Sequence, residues 1–168
     1  MMRNKIFIFV WLFIFMLSMS WAGVSVDIEK INAKIDAAMS HFFGPATPGA
    51  DSEQGFVYLI DAIEMAAPLT GFGEDFTGKI KDANALFKST SIFNEDGVAF
   101  LHEGFISINS GKDFEMPKEI SSIEDARDYA RKQVVSAKKY LKDSDFDESV
   151  KLLMEVAVMI VTPMTKEY

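Results

Sequence analysis

The chain contains no cysteine, and that omission removes disulfides, thiolate metal sites, cysteine nucleophiles and a lipid-modified N-terminal cysteine together. Histidine is scarce, with His41 and His102 the only two, so an imidazole-rich metal centre is not available. No Asn-x-Ser/Thr sequon occurs, which gives no support to a glycosylated secreted protein. Positive charge is in deficit: 17 Lys and Arg face 25 Asp and Glu, for a net charge of −8. A chain of that sign is poorly suited to nucleic acid, whose affinity comes from neutralising phosphates. It is equally unsuited to an anionic lipid surface. A basic protein partner fits it better.

Long hydrophobic runs are also missing. The longest, Ile6–Leu17, is about twelve residues, short of the ~20 that span a bilayer. Arg3 and Lys5 precede it, and Ser20-Trp21-Ala22 sets small residues at −3 and −1 before Gly23. That order of charge, apolar run and small residues predicts a cleaved secretory signal peptide over residues 1–22, with a retained anchor as the alternative. Residues 23–168 are then expected to form one exported domain, periplasmic or secreted, with no stable membrane insertion. Cleavage removes two positive charges and no negative ones, so −8 becomes −10. Export also makes ATP, NAD and cytosolic partners poor candidates.

What remains is helical in its spacing. Ile28, Ile31, Ile35, Met39 and Phe42 form one stripe, predicting a helix over about 26–43 that Gly44-Pro45 stops. Asp51 or Ser52 can cap a second helix with Phe56, Leu59, Ile60, Ile63 and Ala67 on one face. Phe76, Ile80, Ala83 and Phe87 predict a third, starting near Asp75 or Thr77. Asn94 can cap a fourth carrying Val98, Leu101, Phe105 and Ile108, against the alternative of a β-hairpin over 105–116. Ser121 or Ser122 can cap a long helix over about 122–142, with Glu124 and Asp125 at its start and Lys138, Lys139 and Lys142 at its end, as the helix dipole favours. Its expected buried face is Ile123, Ala126, Ala130, Val134, Ala137 and Leu141. Val150–Val161 is a final helix with Glu155 as the one charge from Leu152 onward, a pattern that belongs at the centre of a bundle. The expected fold is therefore all-α: five or six helices around a four-helix core.

Motifs that would carry chemistry are incomplete. Gly73–Lys79 fits G-x-x-x-x-G-K, but Ile80 replaces the hydroxyl residue that binds magnesium, and Glu74 and Asp75 oppose a phosphate. His102-Glu103 lacks the second histidine of a zinc protease motif. Met154, Met159 and Met164 step by five residues, which scatters them around a helix and favours packing over copper. Asp143, Asp145, Asp147 and Glu148 alternate as calcium-loop carboxylates do, making them weak calcium candidates. The sixth and twelfth positions of that loop, however, hold Glu148 and Met154 where glycine and glutamate are needed. A capped turn between two helices accounts for the same residues. No nucleophile elbow, catalytic set or cofactor site emerges.

Three functions follow as expectations. The first is a non-catalytic helical bundle acting by contact with a protein that presents a basic patch. The second is a binder of a small apolar ligand, with a cavity between helices lined by Phe56, Phe76, Phe87, Phe100 and Phe105. The third is weak calcium or other metal binding.

Overall fold

The computed structural model describes residues 27–42 and 52–162. The signal-peptide reading of residues 1–22, the loop 44–50, the cap at Asp51 and Met164 lie outside these residues. Within them all the regular structure is helical, with no strand, and the longest non-helical stretch is the connector 109–122. Helix α1 covers 27–42 and α2 covers Ser52–Ala66, followed by a 3-10 turn at Ala67–Leu69. Then come α3 (Gly73–Ser89), α4 (Glu95–Ile108), α5 (Ile123–Lys142) and α6 (Phe146–Val161).

The capping residues act as their chemistry predicts. Asn94 Oδ1 accepts from Gly97 N at 2.9 Å, and Ser122 Oγ accepts from Asp125 N at 3.1 Å. Each satisfies an amide that has no partner inside its own helix. Asp125 returns the contact by accepting from both the hydroxyl and the amide of Ser121. Those serine hydrogen bonds hold the Asp125 carboxyl below its ordinary range.

Helices α2, α3, α4 and α6 pack pairwise into a closed ring: α2 on α3, α3 on α4, α4 on α6 and α6 on α2. This is the four-helix core. The longest helix, α5, lies outside the ring against α6. Helix α6 thus touches three partners and buries residues on nearly every side, from Val150 and Leu153 to Val158 and Val161. Its one interior carboxylate, Glu155, accepts from the Tyr129 hydroxyl at 2.6 Å and from Gln133 Nε2 at 3.5 Å, both on α5. Between α3 and α4 the approach is close because two residues lack side chains. A Cβ on Gly97 would stand 2.7 Å from the Phe87 ring, and one on Gly104 would stand 3.2 Å from Ile80 Cδ1.

Helix α1 bridges two neighbours. Lys34 meets Asp61 of α2 at 2.6 Å, and Asp36 meets Lys138 of α5 at 2.5 Å. Its buried stripe, Ile31, Ile35 and Ala38, faces the core. The charges on either side of that stripe supply the lateral links.

Two expectations need correction. The final helix begins at Phe146, four residues before Val150, because Asp145 caps it and Asp147 and Glu148 belong to its first turn. The acidic run is therefore largely a helix start favoured by the dipole. Ile123, expected on the buried face of α5, is 67% exposed at the first position of that helix. The fourth helix carries Phe105 and Ile108 as expected, and the alternative hairpin over 105–116 does not form. Helix α4 runs on to Ile108, Ser110 and Gly111 turn the chain with positive φ, and Phe114 folds back edge-on to Phe105 at 5.8 Å.

The turn between α5 and α6 holds a residue in a costly conformation. Ser144 has φ +61°, with its N–H bonded to Leu141 O and the Asp145 N–H to Tyr140 O, the paired contacts of a Schellman cap. A left-handed L-residue costs roughly 1–2 kcal/mol, and glycine gives back about half of that in chain entropy. Ser144→Gly should therefore raise stability by about 0.5–1 kcal/mol. Thermal denaturation should show a midpoint a few degrees higher; an unchanged or lower midpoint would contradict the geometry.

Candidate functional site

Outside the four-helix ring, α1, α5 and α6 do not close completely on one another. They frame a half-open cavity of about 460 Å³ whose lining is almost entirely apolar. Helix α1 contributes Ala38, Met39 and Phe42, and α5 contributes Ile123, Ala126, Arg127, Ala130 and Val134. Val156, Met159 and Ile160 of α6 form the third wall, with Leu59 of α2 and Met116 of the α4–α5 connector completing it. The space exists because small residues occur where large ones would interlock: Ala38 on α1, and Ala126 and Ala130 on α5. Its lining reaches solvent at the start of α5, where Ile123 and Arg127 are exposed, and we take this end, with Phe42 and Thr162, as its mouth. The size falls within the range of ~300–1,000 Å³ usual for small-molecule sites.

Arg127 is the one charged residue in that lining. Its Nη2 donates to the carbonyl oxygen of Phe42 at 3.0 Å, which ties the start of α5 to the last described residue of α1. Among the described residues no carboxylate forms an ion pair with it, whereas Lys34, Lys79, Lys88, Lys138 and Lys151 each have one.

The phenylalanines expected to line a cavity do not line this one. Phe56, Phe76 and Phe87 are buried in the main core, with Phe56 edge-on to Phe87 at 5.1 Å. Phe100 packs partly buried against the same core. Phe105 borders a separate hollow of about 390 Å³ beside Lys112, Asp113 and Lys151. A chain with this many aromatics fills its interior with them, and the free space falls where alanines face one another. Ala126 and Ala130 were on the expected buried stripe of α5, whereas Ala38 was not on the expected stripe of α1.

The calcium candidates are spread over separate tasks. Asp145 caps α6, Asp147 Oδ1 accepts from Gly71 N at 2.9 Å, and Glu148 pairs with Lys151 at 2.5 Å. Asp143 is the exposed residue closing α5. Among the described residues no group of three or more His, Asp or Glu side chains is placed to hold a metal ion. The histidines have different neighbours: the His41 ring lies 5.6 Å from the Tyr58 ring, and His102 Nδ1 is 3.4 Å from Asp113 Oδ1. Lys79, the last residue of the Gly73–Lys79 pattern, is on the exposed first turns of α3, where Asp75 holds it at 2.5 Å.

Two polar clusters fasten helices together. The Tyr129 phenol is pushed up to about 12, first by burial and then by the Glu155 carboxylate that accepts its proton bond, so it remains a donor at every physiological pH. Asp61 of α2 receives Lys34 from α1, and Lys88 and Asn84 from α3. Burial alone would raise its carboxyl, but the two ammonium groups and the amide outweigh that and hold it below the ordinary range. Among the described residues no helix is long and apolar enough to cross a membrane. No family model matches the chain, and no curated protein or solved structure does either.

Proposed function

We propose that this chain is an exported binding module that holds a small apolar molecule between α1, α5 and α6 and performs no chemistry on it. The cavity of about 460 Å³ carries this reading. Its walls offer hydrocarbon contact on three sides, and burying an apolar ligand there gains about 25 cal/mol per Å² removed from water. Asp61 and Tyr129, two partly buried groups with shifted values, fit the same reading, since both are occupied in joining helices.

Contact with a basic protein partner suits the acidic charge but has less behind it. Among the described residues the large exposed apolar ones are Phe93, Ile123, Val135 and Tyr140. Phe93 precedes α4, and the three on α5 point in different directions around its axis. Scattered apolar residues of this kind are ordinary surface. The acidic surface then serves to keep an exported, ligand-carrying domain soluble.

Filling the cavity tests the proposal. Ala130→Phe places an aromatic ring in the space, and Ala126→Leu narrows its mouth with less strain on the packing. Both should retain helical circular dichroism while affinity for the neutral dye Nile red and for lauryl alcohol falls about tenfold or more, as expected when roughly 1.4 kcal/mol of contact is lost. Binding that survives both substitutions, or that is absent from the unsubstituted protein, would refute it. Intact mass of natively produced protein starting at Gly23 would support export; a mass that includes Met1 would oppose it.

A further inference from the structure

We infer that the ligand is a single-chain free fatty acid, its hydrocarbon tail within the cavity and its carboxylate at Arg127. This rests on the cavity being a ligand site and adds the chemistry of the head group. Three observations point to it. The walls are apolar except at the mouth, so a molecule that fits must be a hydrocarbon with its polar end in one place. The charged residue at that place is a guanidinium, whose fork matches a carboxylate in a way that an ammonium does not. Finally, Arg127 is positioned and yet pairs with no acid among the described residues. One N–H is fixed on the Phe42 carbonyl, which orients the group, while its remaining donors meet no carboxylate among the described residues.

Charge complementarity selects the anionic head over a neutral one. In a chain of net charge −8, a guanidinium without an acid at an apolar mouth is the local exception to the surrounding field. The same field disfavours docking on an anionic bilayer, so the free acid is the fitting source rather than a membrane-held lipid.

The test compares two probes that differ only at the head. Laurate and lauryl alcohol are titrated against the full protein at pH 8, with displacement of Nile red as the readout. The unsubstituted protein should bind laurate about tenfold more tightly than the alcohol, the scale of a hydrogen bond to a charged group at a partly exposed site. Arg127→Met should abolish that preference by weakening laurate alone, and Arg127→Lys should restore part of it. Raising the salt concentration should shrink the preference, because an exposed ion pair is screened. Equal affinity for both probes, or a preference that persists in Arg127→Met, would overturn the fatty-acid assignment and leave the apolar cavity reading in place. Failure of both probes to bind would overturn both. So would concentration-dependent dimerisation that excludes Nile red, since a second copy would then be covering the cavity.

Discussion

Leu153→Ala is expected to lower stability by about 3–5 kcal/mol, a large share of the ~5–15 kcal/mol that holds a typical domain together. Leu153 is 0% exposed and lies midway along α6, the helix that packs on α2, α4 and α5. Truncation removes the transfer energy of the side chain and leaves a void that three neighbouring helices cannot all move to fill. For a domain of this size the thermal midpoint should fall on the order of 10 °C. Ile123→Ala is the matching control. Its side chain is mostly in solvent, so the change should stay within about 0.5 kcal/mol. Urea denaturation of both variants checks the contrast. A loss below about 1 kcal/mol for Leu153→Ala would mean that α6 is not the centre of the fold.

Asp61→Ala should cost about 2–3 kcal/mol at neutral pH. Breaking a buried ion pair typically costs more, but Lys34 and Lys88 are 36% and 47% exposed and can return to water. Asn84 cannot, being 1% exposed and left with one fewer acceptor for its amide. The effect depends on pH with a definite sign. Because the folded carboxyl titrates below its unfolded value near 4, its contribution is complete above about pH 4 and declines as pH falls through the lowered folded value. The stability gap between the native chain and Asp61→Asn should therefore narrow steadily below about pH 4. Denaturant midpoints measured at pH 7, 4 and 2.5 would show it, and a gap that stayed constant or widened in acid would contradict the ion-pair account.

The fold was legible where periodicity and capping agreed. Phe76, Ile80, Ala83 and Phe87 occur at helical spacing and are all buried, and Asn94 and Ser122 cap the helices they were expected to cap. Legibility ended at the acidic turn and at the bundle's end. Asp147 and Glu148 suit a loop and the first turn of a helix equally well, and only the observed cap at Asp145 decides between them. Ile123 continues an apolar stripe whose period carries no information about where the neighbouring helix stops. The cavity was harder still. Phenylalanine content indicates how much apolar volume there is to place, whereas the site arises from the pairing of Ala38 with Ala126 and Ala130 across two helices distant in sequence. Arg127 gave no local signal, because the absence of an acid beside it is a property of three-dimensional neighbours.

The bond between Tyr129 and Glu155 also fixes how α5 and α6 align lengthwise. Sliding α6 by one turn, about 5.4 Å, would carry its lone interior anion away from the phenol and leave it against hydrocarbon. Helix α6 is otherwise greasy enough to accept several offsets with similar burial, so a single misplaced charge penalises every wrong one. This largely apolar helix thus carries its own ruler, read by a tyrosine on its neighbour.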